Sequence, residues 1–203
     1  MSRLVFLIVS LCCCRHIMAQ QWAFELWHEG RVVTTDGDTL KGLIKYDIQT
    51  DIIQFNYPNS KKVEAFAPRK VLFFEIFDAT VRQYRIFFAL PYSSSGTYGA
   101  LSFFELLAEG KITLLCREAL EYRTFSSPYL YGSFSRLVLV YKYFFMDDKG
   151  NITEYSGKRA DLMNRFGRYA PDVERYIRQN RLRLDERNDF IRVIEYYNSF
   201  FKS

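Results

Sequence analysis

Two periods divide this chain. Between residues 31 and 155 apolar residues come in short runs, often alternating with polar ones and separated by Asp, Asn, Gly and Ser; after Ser156 they recur at intervals of three and four. The first pattern predicts strands and the second helices. Val32 and Val33 on one side of Asp36-Gly37-Asp38, with Leu43, Ile44 and Tyr46 on the other, predict a β-hairpin over 31–48. Residues 51–57 and 63–66 predict two further strands, the second stopped by Pro68, and the near-continuous apolar runs 71–77 and 83–90 read as strands buried on both faces. Residues 103–107 and 112–117 flank a turn at Ala108-Glu109-Gly110-Lys111. Residues 137–145 turn through 147–151 into 152–155. The Ser-, Tyr- and Pro-rich stretch 125–135 reads as irregular, and seven or eight strands in a meander are expected.

In the helical part Ser156 is placed to cap a short helix carrying Leu162, Met163 and Phe166 and ending at Gly167. Pro171 opens a second helix, where Asp172 and Glu174 suit the positive end of the dipole. A third, from about Asn188, aligns Phe190, Ile194, Tyr197 and Phe201 in one stripe. The fold class expected is α+β: a mostly antiparallel sheet, as a meander, sandwich or partly closed barrel, over 20–156, with the three helices of 157–203 packed on the same domain because none can bury its own apolar face.

The first residues follow neither period. Arg3 precedes an apolar run, 4–14, broken only by Ser10 and ended by Arg15-His16. That is the length of a signal-peptide core, well short of the roughly 20 residues a spanning helix needs. Cleavage after Ala19 is expected, leaving 184 residues from Gln20. Lipidation at Cys12, Cys13 or Cys14 is the rival, and the bulky Leu11 before Cys12 argues against it.

Removing 1–19 changes the chemistry available. Of 4 Cys only Cys116 remains, so no internal disulfide is possible; its parity with Ile112 and Leu114 places it among buried hydrophobes. The charge of +5 falls to about +3 without Arg3 and Arg15, which is no nucleic-acid footprint. Its basic excess lies in 157–203, where Lys and Arg alternate with acids as on a solvated helix face. Aromatics at 18%, with 19 Phe and 15 Tyr, promise a substantial core.

The hairpin Phe103-Phe104-Glu105-Leu106-Leu107-Ala108-Glu109-Gly110-Lys111-Ile112-Thr113-Leu114-Leu115 resembles one in small exported proteins of Bacteroidetes-type bacteria. So does the ending from Asp161-Leu162 through Tyr176-Ile177-Arg178-Gln179-Asn180 to Glu195-Tyr196-Tyr197-Asn198. The resemblance implies an uncharacterised family and a periplasmic, extracellular or outer-membrane-associated location; it implies no activity, substrate or site.

Patterns that would carry catalysis are thin. His28 is the one histidine after residue 19, and a lone histidine near a chain end reads as a surface residue; no Gly-x-Ser-x-Gly elbow accompanies it. Asp36, Asp38, Asp147 and Asp148 read as turn residues and not as a calcium loop. Gly157-Lys158 lacks the earlier Gly and following Ser or Thr of a phosphate loop. Carboxylate pairs such as Glu75 with Asp78 or Glu105 with Glu109 would serve glycoside hydrolysis only across a cleft. No cofactor, metal or nucleic-acid partner is expected. The leading expectation is a non-enzymatic envelope protein that binds or helps assemble a partner through exposed Tyr and Phe beside the C-terminal helices, with Tyr129 and Tyr131 as candidate contact residues. The alternatives are a carrier of a small apolar ligand in a barrel-like cavity and a carboxylate-based hydrolase.

Overall fold

A computed structural model describes residues 22–92, 100–127 and 132–202. One antiparallel sheet holds ten strands: β1 His28–Thr34, β2 Thr39–Asp47, β3 Ile52–Asn56, β4 Val63–Phe66, β5 Val71–Asp78, β6 Gln83–Pro91, β7 Leu101–Ala108, β8 Thr113–Ser127, β9 Gly132–Met146 and β10 Ile152–Glu154. Helices α1 Arg159–Phe166, α2 Ala170–Gln179 and α3 Arg187–Ser199 follow. The strand order β10-β9-β8-β7-β6-β5-β1-β2-β3-β4 joins two meanders through the β1–β5 pair and leaves β10 and β4 as open edges. The class is α+β, as the two periods predicted.

Each of the ten strands, the short β4 and β10 included, corresponds to a run marked in the sequence, so the expected total of seven or eight was an undercount of those runs. The larger correction concerns the stretch read as irregular. β8 and β9 pair without interruption from Thr113 with Met146 to Ser127 with Gly132. Like faces like across this ribbon: the Thr124 and Ser135 hydroxyls meet at 2.9 Å, and the Phe125 and Phe134 rings stack at 5.8 Å. Such cross-strand pairs stabilise a ladder that local composition conceals.

β5 and β6 are covered on one face, not two. Phe74, Ile76 and Asp78 turn inward from β5 while Leu72 is exposed. The inner face carries two cores. Near β1–β6, Val32, Ile44, Ile53, Phe55, Phe74 and Phe87 pack together, joined by Phe103 of β7. The sheet curls so that Tyr46 of β2 meets Phe103 of β7, four strands away, at 5.8 Å, and Gly30 opposite Gly42 has no room for a side chain: an added Cβ would lie 2.1 Å from the Glu75 carbonyl oxygen at Gly30 and 2.4 Å from that of Asn56 at Gly42. The turn after β2 thereby reaches across, where Asp51 accepts from the Phe103 amide at 3.3 Å and pairs with Arg117 at 3.3 Å.

The second core lies under the helices. Leu114 and Phe145 of the sheet meet Leu162, Phe166, Val173, Ile177, Phe190 and Ile194. Val193, not Phe201, completes the α3 stripe, because the helix ends at Ser199 and Phe201 lies beyond it, exposed. Ser156 is likewise not the cap of α1. Lys158 holds that position, and the Ser156 hydroxyl accepts from the Lys158 amide at 3.2 Å. The helix surfaces carry paired charges, Arg159 with Glu174 and Arg178 with Glu174 among them.

One polar side chain fixes the helical layer to the sheet. Asn198, buried near the end of α3, accepts from the Ile112 amide at 3.0 Å and donates to the Ile112 carbonyl at 2.8 Å, as a neighbouring strand would. Gly110 makes room for it, since an added Cβ would stand 2.5 Å from the Asn198 side chain. Among described residues no helix is long and apolar enough to cross a membrane, which leaves membrane crossing by strands unaddressed.

Candidate functional site

Alternate residues of β8 on the inner face cross from one core to the other: Leu114 under the helices, Cys116, Glu118, then Leu120 against the first core. Between the cores lies a buried ion cluster. Arg85 of β6 donates to Glu105 through Nε at 2.9 Å and Nη2 at 2.8 Å, to Glu118 at 2.6 Å and to Asp78 at 3.2 Å. Arg187, the first residue of α3, also donates to Glu105 and lies over the Tyr141 ring. Burial by itself would raise the Glu105 carboxyl pKa; hydrogen bonds and charge from Arg85, then Arg187, outweigh it and hold the group below its ordinary value. Asp78 is lowered too, against burial, by the Thr80 hydroxyl and amide and then by Arg85.

Glu105 and Glu118 thus meet on one guanidinium nitrogen. Glu105, with its pKa lowered, is the opposite of the raised acid that glycoside hydrolysis needs. The pairs considered from sequence do not form: Glu75 points to the outer face and pairs with Arg31, away from Asp78, and Glu109 is exposed while Glu105 is buried. Cys116 is free and buried beside the cluster, and burial followed by the Glu105 charge pushes its thiol pKa up, so it is a poor nucleophile.

His28 corrects another expectation. It is 5% exposed, not a surface residue, and its ring nitrogens face the Ala23 carbonyl at 2.7 Å and the Phe77 carbonyl at 3.3 Å. It ties the N-terminal turn Ala23–Glu25 to the sheet through the Ala23 carbonyl. Asp147 is a turn residue as expected, accepting from the Lys149 and Asn151 amides at 2.9 Å each. Among described residues no group of three or more His, Cys, Asp and Glu is arranged to hold a metal ion.

Where a barrel-like cavity would open in the first core, Tyr46, Phe74, Phe87 and Phe103 pack ring against ring at centroid distances of 4.6 to 5.8 Å. An open groove of about 1080 Å³ lies instead on the outer face of β5, β1, β2 and β3. Arg31, Lys41, Glu75 and the Phe77–Tyr84 ring pair line it, and the buried Oδ1 of Asn56 there has no hydrogen-bond partner among the described residues.

The feature most distinct from the body is the outer part of the β8–β9 ribbon. β7 pairs with β8 no further along than Cys116, and β10 with β9 no further than Phe144. Leu120 and Leu139 still pack on the first core; beyond them Tyr122, Arg123, Thr124 and Ser126 of β8 and residues 132–136 of β9 are exposed. Tyr122 is 78% exposed, and Arg136 lies 4.5 Å from the Phe125 ring centroid. At about 3.3 Å per residue the outer seven residues of each strand reach about 23 Å. Tyr129 and Tyr131 lie outside the described residues, in the segment that joins these two strands. What the sequence missed is the length of the ribbon; the matched Thr124–Ser135 and Phe125–Phe134 pairs were the available signal.

The chain matches no protein-family model, no curated protein and no solved structure.

Proposed function

We propose that this is an exported, non-enzymatic binding module of the cell envelope, and that the outer β8–β9 ribbon is its docking element. The observation that carries the reading is the pair of long strands whose aromatic and polar side chains have left both cores behind while remaining hydrogen-bonded to each other. A two-stranded ribbon is marginal in water by itself, and exposed aromatics are what protein interfaces use as anchors. Export rests on the N-terminal apolar run and on the resemblance to exported proteins. Two features favour binding over the hydrolase and carrier readings: the carboxylates at the centre are locked to arginine, and the first core is filled by rings.

A photo-crosslinking residue placed at Tyr122 in cells is expected to yield a defined adduct with an envelope protein or with a second copy of this chain. The same residue at Leu72, exposed on the other half of the sheet, is expected to yield none. Equal labelling at both positions, or none at Tyr122, would overturn the assignment of the ribbon.

A further inference from the structure

The outer edge of β9 continues the lane that β10 begins. β10 fills that lane opposite residues 144–146, and the Tyr155 amide then donates to the Tyr143 carbonyl at 2.8 Å. Beyond Tyr143 no described strand lies alongside β9, from Lys142 to Gly132. Because Tyr143 faces this lane and the ladder alternates without a register shift, the backbone N–H and C=O groups of Ser133, Ser135, Leu137, Leu139 and Tyr141 face it too. An unpaired edge of this kind is a template for another strand. In residues 132–142 its protection is limited to the charges of Arg136 and Lys142, with no proline and no bulge.

We infer that the occupant of this lane is the same strand of a second copy, paired antiparallel about Leu137. This rests on the reading of the ribbon as the docking element and names its partner. The lane must be filled by an extended segment that ends before the Tyr155 contact and places no cation opposite Arg136 or Lys142. β9 paired with itself about Leu137 meets each condition. Gly132 of the second copy stands opposite Lys142, so the added strand stops where the lane is already taken. Arg136 faces Val138, Phe134 faces Val140, and Ser135 faces Leu139. The Phe–Val pair is of the aromatic and β-branched kind that stabilises antiparallel ladders. The neighbouring two-fold register about Arg136 would set that arginine against its own copy. Every lane-facing amide and carbonyl from Ser133 to Tyr141 then finds its counterpart, and the interface is isologous, as a closed dimer requires. At the inner end of the lane a cleft of about 710 Å³, bounded by Tyr143, Tyr155, Leu182 and Leu184, leaves space beside the incoming strand.

Sedimentation equilibrium of the purified protein lacking residues 1–19 is expected to show a monomer–dimer equilibrium. Val138→Arg, which would face Arg136 across the two-fold, should weaken the dimer at least tenfold with the melting temperature of the dilute monomer unchanged. Leu137→Pro should do the same by removing only a lane-facing amide. Leu137→Cys should give a disulfide-linked dimer on mild oxidation and Tyr122→Cys, on the opposite edge of the ribbon, should not; the native thiol Cys116 is buried and does not compete. A protein that stays monomeric to about 100 μM, or a dimer that Val138→Arg leaves intact, would overturn the inference. A monomer that still gives a Tyr122 adduct with a different envelope protein would overturn the second copy as occupant and leave the docking role of the ribbon standing.

Discussion

The β8–β9 ribbon is one hydrogen-bonded ladder with two environments. At its root Leu115 and Phe144 pack with Phe104 on the outer face, while Leu114 and Phe145 lie under the helices on the inner one. In its outer part Tyr122, Thr124, Phe134 and Ser135 contact one another or solvent. Backbone pairing is the same in both regions and continuous between them. Covering the root on both faces is what makes it part of the core, so hydrogen bonding alone does not tell where stability resides. Phe144→Ala should therefore cost about 3 to 5 kcal/mol in denaturant unfolding, the range for emptying a large buried aromatic site. A loss below about 1 kcal/mol would mean that the root is no better packed than the outer part.

A comparable effect is expected at the junction of the two cores. Arg85→Ala would leave Glu105, Glu118 and Asp78 buried without their shared cation, and breaking a buried pair from one side costs about 3 to 5 kcal/mol. The acid limb of the stability curve tests the same cluster. Glu105 and Asp78 have folded-state pKa values below their ordinary ones, so their contribution is complete above the unfolded values of about 4.3 and 3.9. It is lost as pH falls through the lower folded values. Wild type should lose stability progressively below about pH 4, and Arg85→Ala, already without the interaction that protonation destroys, should show a shallower slope there. Equal slopes would mean that the cluster does not contribute to acid unfolding.

The fold was legible where a single period carried it. Asp36-Gly37-Asp38 and 147–151 marked their hairpins, and Phe190, Ile194 and Tyr197 marked the buried face of α3. What escaped depended on long-range partners. The ion cluster joins positions 78, 85, 105, 118 and 187, each of which reads alone as a solvent-facing charge on its element. His28 is buried only because the turn at Ala23–Glu25 folds back over it. The candidate docking surface was not legible: the Ser-, Tyr- and Pro-rich composition of 125–135 hid the strands on either side, and Tyr129 and Tyr131 lie outside the described residues. The two segments that carried the resemblance, around Gly110 and around Asn198, meet in space.

That meeting gives an intermediate prediction. Asn198→Ala would leave the Ile112 amide and carbonyl buried without their partner, which costs about 1 to 3 kcal/mol. Asn198→Asp, which keeps the acceptor and loses the donor, should be no better than the alanine. If both variants unfold like wild type, α3 is held by its apolar stripe alone.

The smallest effect is the one that separates the two environments most sharply. Tyr122 and Phe144 belong to one ribbon, but the Tyr122 ring stands in solvent on the outer part of β8, so its removal uncovers no apolar surface and opens no cavity. Tyr122→Ala should unfold within about 0.5 kcal/mol of wild type, as surface substitutions do, and with an unchanged dependence on denaturant because the area exposed on unfolding is nearly the same. Measuring it at low micromolar concentration keeps association from contributing. A loss of 2 kcal/mol or more there would show that the outer ribbon is bound into the body of the monomer, and the case for it as a free docking element would fail with that result.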